Sequence, residues 1–247
     1  MTDRTSIGDR MKHQYEMRAQ SHLPRRTYTV IRLDGKAFHT YTRGCEKPFD
    51  VTLSNDMQEA AIALCSEAQG AFIGYVQSDE ASIVLADFAT EQTDAWFDGN
   101  VQKITSVASS VFTAVFNARR GGRLAYFDAR VFTIPDPTEV QNYLIWRQQD
   151  CVRNSISGLA QANFSPRQLH RVSTKQMQEM LWSEKGINWS DEPDVFKNGA
   201  VVKRLSDADG RSFWSSAAAP TFTVERPFVP AYDRLVQARP DHEGGRE

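Results

Sequence analysis

Cysteine is scarce in this chain, and its pattern does not suit a covalent or metal framework. Only Cys45, Cys65 and Cys151 occur among 247 residues. The number is odd, no CxxC pair is present and the spacings are wide. That excludes a disulfide scaffold and a zinc finger, and it fits reduced thiols in a cytoplasmic protein. Five histidines are scattered without an HExxH pattern, so the zinc-protease arrangement is missing too. No apolar run approaches the roughly 20 residues that cross a bilayer. The opening MTDRTSIGDRMKHQYEMR is polar and lacks the apolar stretch of a secretory signal. Neither sign of charge dominates: the formal net charge is −2. A nucleic-acid partner would therefore have to meet a local basic surface.

What is present is ordinary for a soluble globular protein: 40% hydrophobic and 24% charged residues. The length allows one large domain or two small ones with a sizeable core. Residues 5–20 carry helical spacing through Ile7, Met11 and Tyr15, and Pro24 in LPRRT breaks it. YTVIRL reads as a buried strand over 28–33 that ends at Asp34. Ser54 suits the N-cap of a helix running to about Gln69, with Met57, Ala61, Leu64 and Ala68 on one face. Two strands, 71–76 and 81–86, flank a tight QSDE turn. A long helix is expected over about 91–117, carrying Phe97, Val101, Ile104, Ala108, Val111 and Val115. RRGGR is a basic glycine-rich turn, and AYFDARVFTI is a fourth strand stopped by Pro135 and Pro137.

The order strand, helix, strand, strand, helix, strand is the ferredoxin-like split βαβ arrangement. It predicts an α+β fold: a four-stranded antiparallel sheet with two helices on one face and the first strand beside the third. The palms of many polymerases and cyclases share this topology, so the site must carry any claim about function. Residues 137–185 read as helical, and strands are expected at 199–205 and near Phe213 and Trp214. The expected organisation is a palm-like catalytic region with an N-terminal helix over 1–135. A helical, fingers-like region with additional strands follows over 136–235 in the same compact unit. A polar, disordered tail closes the chain over 236–247.

Two acidic strand ends carry the chemistry: IRLDGKAFH around Asp34, and GYVQSDEASIVL around Asp79 and Glu80. Gly35 lets the backbone bend close to a ligand, and a turn of free N–H groups there could cradle a triphosphate. Carboxylates from two adjacent strands would hold two Mg²⁺ ions, which take one or two carboxylates plus substrate phosphates. Such a pair stabilises the attacking and leaving oxygens of nucleotidyl transfer. Acidic hairpin turns are common, and a lone DG or SDE means little. Here the strand-end positions, the glycine after the first acid and the nearby Arg32, Lys36 and Lys47 favour a metal-dependent nucleotidyltransferase. Downstream, a helix read from about Asp150 places Val152, Ile156 and Leu159 on an apolar face, with Asp150, Arg153, Asn154 and Ser157 opposite. Trp146, Arg147 and Gln148 fit core packing plus a structural ion pair equally well.

Eight segments in order carry a resemblance over roughly residues 5–205: IGDRMK, LPRRT, IRLDGKAFHTYTRG, KPFD, GYVQSDEAS, YFDARVF, WRQQDCVRNSIS and GINWSDEPDVFKNG. The chain resembles the histidine-tRNA guanylyltransferase family, most of all its bacterial, archaeal and phage branch of 3′–5′ RNA polymerases. The resemblance implies that Asp34 and Asp79 bind two metals, with the Gly35 carbonyl as a further ligand, and that Glu80 matters for activity. Gly35, Lys36, Ala37, Phe38 and His39 match the turn that holds the nucleoside triphosphate, and Ser78 a hydroxyl beside the metals. Lys47 and Asp50 match the activating-nucleotide region, Lys103 a phosphate-contacting lysine on the long helix, and Asn154 an asparagine near the nucleotide. ATP and GTP or another NTP are the implied substrates, tRNA the implied partner, and a homotetramer the implied assembly.

The departures are informative. Eukaryotic members carry HINNLYN where this chain has VRNSISG, so Val152 replaces the histidine and only the first of two asparagines remains, as Asn154. GNVQKI keeps only Lys103 of a larger basic patch. These changes favour template-directed repair of 5′-truncated tRNA, after ATP activation of the 5′-monophosphate, over guanylate addition to histidine tRNA. Three basic clusters are candidates for tRNA binding: Arg18, Arg25 and Arg26; Arg119, Arg120 and Arg123; and Arg167, Arg171 and Lys175. A nucleotide cyclase would show GGDEF where this chain has QSDE. A non-catalytic RNA-binding protein would have been free to lose Asp34, Asp79 and Glu80.

Overall fold

Tyr28–Gly35 (β1) alternates apolar side chains to both sides, and Val30, Ile31 and Leu33 are fully buried. Burial on both faces requires cover from both sides, and the computed structural model, which describes residues 6–227, supplies it. The tail expected over 236–247 lies outside the described residues. β1 pairs antiparallel with β3 (Glu80–Ala86) on one side and β4 (Phe127–Ile134) on the other. β2 (Ala71–Gln77) pairs with β3, and then with β5 (Ala200–Ser206), which pairs with β6 (Ser212–Ala218). The sheet runs β4-β1-β3-β2-β5-β6. The first strand lies beside the third, as the split βαβ order predicts, and the C-terminal strands extend the same sheet.

Side-chain alternation divides the core in two. Ile31, Leu33 and Ile83 face α3 (Val51–Glu67) and α4 (Val101–Arg119), meeting Met57, Leu64, Phe112 and Phe116. Tyr28, Val30 and Val84 face the opposite way. They meet Val140, Tyr143 and Leu144 of α5 (Pro137–Asn163) and the buried Phe222. A third cluster joins the end of α5 to α6 (Thr174–Lys185) and α7 (Asp194–Asn198), through Leu159, Phe164, Leu181 and Phe196. Among the described residues no helix is long and apolar enough to cross a membrane.

Helix ends depart from the sequence expectation where a better cap competes. α3 starts after Asp50, not Ser54, because the Asp50 carboxylate accepts the Leu53 N–H at 2.8 Å and the Glu46 N–H at 3.1 Å. α4 starts at Val101, about ten residues later than the periodicity suggested. Phe97 and Asp98 adopt left-handed φ of 51° and 52°, and the Asn100 side chain caps the Lys103 N–H at 3.0 Å. The Asp98-Gly99-Asn100 run was the turn signal that apolar spacing concealed. α5 starts at Pro137, where the helical region was expected to begin, with Asp136 as its cap. Pro137 both follows the end of β4 and opens the helix, where its missing N–H costs nothing. The N-terminal helix is α1 (Ile7–Met11), continued by a π turn over Lys12–Glu16 and a 3-10 turn over Met17–Ala19. Its apolar stripe of Ile7, Met11 and Tyr15 is exposed.

Asp56 on α3 is 3% exposed and accepts from Arg119 at 2.9 Å and Arg120 at 3.2 Å, fastening α3 to the end of α4. Removing one partner of a buried pair leaves the other charge uncompensated. Asp56→Ala should lower unfolding stability by about 2 kcal/mol, since Arg119 regains water readily. Urea denaturation checks this, and an unchanged midpoint would contradict it.

Candidate active site

The site forms where β1 and the β2–β3 hairpin end side by side. Asp34 lies opposite Glu80 on β3 and opposite Asp128 on β4. Three carboxylates therefore share one row and one face of the sheet. Asp79 occupies the hairpin tip, and its carbonyl accepts the Gly35 N–H at 3.0 Å. The Lys36 N–H bonds the Tyr126 carbonyl at 2.8 Å. Both turns hold a non-glycine residue in the left-handed region, Ser78 at φ 48° and Ala37 at φ 54°. Such backbone costs energy and persists only where the surroundings enforce it.

Gly35 is required for a reason the sequence did not show. A Cβ there would lie 2.2 Å from Cδ2 of Phe38. The Phe38 ring is buried, stacked on Tyr41 at 4.9 Å and packed against Phe116 and Phe127. Phe38 can thus meet a ligand only through its backbone. The N–H groups of Ala37, Phe38 and His39 take no part in the bonds that hold this turn. They open α2 (Phe38–Tyr41) beside the exposed Lys36 and His39 side chains. Neighbouring N–H groups left open in a turn are the arrangement that can cradle an anion.

The acids divide into paired and unpaired. Glu80, with a side chain 10% exposed, accepts from Arg32 Nη2 at 2.5 Å and from Arg147 Nη1 at 2.9 and 3.1 Å. Arg147 also reaches Asp150 at 3.3 Å, and its Cζ lies 3.7 Å from the Trp146 ring centroid. Asp150 is further held by Arg153. Asp34 keeps only a distant share of Arg32, at 3.6 Å. The Asp79 carboxyl is pushed above its ordinary range, first by burial and then by the charges of Asp34 and Glu80. Hydrogen bonds from its own N–H and the Ser78 hydroxyl oppose the rise only in part.

A cavity of about 210 Å³ opens on the far side of the hairpin, lined by Lys47, Asp50, Ser78, Asn154, Cys45 and Phe196 among others. Gln77 also lines it. Its Oε1 is buried without a hydrogen-bond partner among the described residues, so a bound donor would satisfy it. Burial raises Asp50, but the Leu53 and Glu46 N–H groups and the Arg120 charge outweigh that and hold it below the ordinary carboxylate range. Burial pushes the Cys151 thiol, on the same wall, up to about 12, which keeps it protonated and inert.

Asp34, Gly35–His39, Ser78, Asp79 and Glu80 are therefore gathered at one end of the sheet, with Lys47, Asp50 and Asn154 on the adjoining cavity. Lys103 is not brought there within this chain. It sits on the first turn of α4, where the neighbouring Ile104 lies beside Thr29 and Ala86 at the opposite end of the strands. The last turn of α4 is the one near the site, and the rise of an α-helix separates the two by roughly 24 Å. Sequence reasoning also missed Asp128, although YFDARVF places it two residues after Tyr126 on the strand beside β1. It did not foresee that Arg147, and with it Arg32, would occupy Glu80.

Asp34 and Asp79 suit a hard divalent cation: two oxygen donors, mutually repelling, beside a turn of N–H groups. Among the described residues no three His, Cys, Asp or Glu side chains cluster to enclose an ion.

The family model for tRNAHis guanylyltransferase matches residues 8–135, and that for the Thg1 C terminal domain matches 138–226. The tRNA(His) guanylyltransferase of Schizosaccharomyces pombe is 32% identical over 194 residues, which is 71% of this chain and 72% of the relative. A bacterial tRNA(His) guanylyltransferase-like protein solved in complex with ATP is 43% identical, with a TM-score of 0.83 over 90% of this chain and 96% of that one. A bacterial protein of the same description in complex with GTP is 42% identical, with a TM-score of 0.80 and the same coverage.

A carboxyl raised in the folded state favours the folded protein when protonated, and that contribution fades as pH rises through its folded pKa. At neutral pH, Asp79→Asn should therefore raise the melting temperature by about 2 °C without divalent cations. The gap between variant and wild type should close as pH falls into the carboxylate range. Thermal melts from pH 4 to 8 test both, and a less stable Asp79→Asn would contradict the burial argument.

Proposed function

The chain belongs to the tRNAHis guanylyltransferase family and is a nucleotidyltransferase, and from that premise we propose that it rebuilds the 5′ end of truncated tRNA in the 3′–5′ direction under Mg²⁺. One observation carries this reading: Asp34, which shares Arg32 only at 3.6 Å, and Asp79, raised by burial, lie between a turn of N–H groups and a polar cavity. The substitution of Val152 for the histidine of eukaryotic members supports templated repair over guanylate addition. Base pairing with the opposite acceptor strand would select each nucleotide, so the protein need not read bases.

In the proposed reaction the 3′-hydroxyl of an incoming NTP attacks the activated phosphate at the RNA 5′ end. A new phosphorus–oxygen bond forms, the bond to AMP or pyrophosphate breaks, and the hydroxyl proton passes to solvent. A 5′-monophosphate is first adenylylated by ATP. Asp34, Asp79 and the Gly35 carbonyl would hold two Mg²⁺ ions, which when bound neutralise charge on the attacking and leaving oxygens. The Ala37, Phe38 and His39 N–H groups and Lys36 orient the triphosphate. Ser78, Lys47, Asp50 and Asn154 seat the activating nucleotide on the cavity wall. Glu80 acts through Arg32 and Arg147, keeping both guanidiniums fixed beside the row of acids. Most of the catalytic effect is then positioning and charge neutralisation. We place the enzyme in the cytoplasm as a homotetramer binding tRNA through its basic clusters.

A 5′-labelled tRNA transcript lacking its first nucleotide should be extended by the complementary nucleotide with Mg²⁺, ATP and four NTPs. Asp34→Ala and Asp79→Ala should each slow this at least about a thousandfold. Mg²⁺ with ATP should raise the melting temperature of wild type and not of Asp79→Ala. Guanylate added only to full-length histidine tRNA would move the enzyme to the other branch, and extension of neither RNA would overturn the proposal. RNA affinity should also fall steeply between 50 and 200 mM salt, by at least about tenfold if several phosphates are contacted.

A further inference from the structure

The proposed reaction needs two substrates to meet at Asp34 and Asp79, and the structure offers these acids two different surroundings. On one side of the hairpin is the cavity of about 210 Å³, far too small for the end of an RNA duplex. On the other, the face that carries Asp34 continues onto β4, which is an edge strand. Tyr126 precedes Asp128 by two residues, and its carbonyl is bonded to the Lys36 N–H. It therefore stands beside the turn of N–H groups, and it is 59% exposed.

Trp146 of α5 flanks the same row of acids and is 48% exposed. The Arg147 guanidinium, fixed on Glu80, backs its ring at 3.7 Å. Tyr143 buttresses it edge-on at 6.0 Å and is itself packed on Phe132 of β4 at 5.6 Å. One ring face is thus braced, while nearly half of the residue remains in water. Exposed aromatic rings beside a charged groove are side chains on which nucleic-acid bases can stack. Arg130, its side chain 60% exposed, and Arg153, 57% exposed, border this strip, each paired with a carboxylate: Asp128 at 3.7 Å and Asp150.

We infer that Trp146 and Tyr126 form an open stacking platform for the end of the RNA duplex, which presents its 5′ phosphate to Asp34 and Asp79 from the β4 side, away from the nucleotide cavity. The inference rests on the proposed reaction and adds to it the surface that receives the RNA. Stacking on aromatics is indifferent to base identity, which suits an enzyme whose sequence choice is left to the template strand.

The test measures binding of a labelled, 5′-truncated acceptor-stem hairpin and of ATP separately. Trp146→Ala should weaken RNA binding about tenfold, the range of one lost base–aromatic stack, with ATP affinity unchanged. Trp146→Phe should recover most of the loss, and Tyr126→Ala should weaken RNA binding several-fold. Trp182→Ala, on the exposed face of α6, should change nothing. If Trp146→Ala does not fold, Trp146→Phe and Tyr126→Ala decide the matter. Unchanged RNA affinity in the platform variants overturns the inference. So does a parallel loss of ATP affinity, which would mean that Trp146 only shields the Glu80–Arg147 pair. A changed oligomeric mass with intact RNA affinity would show the strip to be a chain–chain interface. Wild type that extends RNA alongside unaffected variants sinks this inference alone, whereas wild type that neither binds nor extends RNA sinks the proposed function with it.

Discussion

One buried carboxylate organises this protein. Glu80 bonds Arg32 from β1 and Arg147 from α5, so a single side chain on β3 joins three elements at the end of the sheet. The arrangement is not a favourable route to stability. Three charges leave water together, and the Nε atoms of Arg32 and Arg147 are buried without partners. Its effect is positional. With both guanidiniums drawn to Glu80, Asp34 and Asp79 are left under-compensated at the row's end, which is the condition for attracting a cation and phosphates.

The surrounding structure stores the same tension in other forms. Ser78 and Ala37 hold left-handed backbone, Asp79 carries a burial penalty, and Gly35 admits the Phe38 ring where any side chain would collide. These features sit within a few residues of one another, while the rest of the sheet is conventionally packed from both faces. Local cost concentrated at one end of a well-packed scaffold marks where function is held at the expense of stability.

Much of the fold was legible because it rests on local periodicity. β1, β2, β3 and β4 alternate or run apolar, α3 and α4 repeat at helical spacing, and the order of elements leaves few topologies open. Periodicity failed where a cap decided the boundary. Phe97 looks helical by spacing, yet Asp98-Gly99-Asn100 turns the chain and Asn100 opens α4. Asp34, Asp79 and the glycine turn were legible from residue type at strand ends. Lys103 shows that resemblance conveys which residues a family shares and not which end of a helix faces the acids of the same chain.

The sequence by itself determined most elements, the order of the first four strands and the two acidic turns, since each depends on near neighbours in the chain. Tertiary structure alone decided which acids are free. Glu80 and Asp79 are adjacent in sequence, but alternation sends Glu80 to Arg147, 67 residues away, and leaves Asp79 at the tip. It also decided that Phe38 is core, that Asp128 joins the row, and that Tyr126 and Trp146 flank one face. Charge compensation, close packing and exposure depend on distances across the sheet, and no local pattern of residues encodes those.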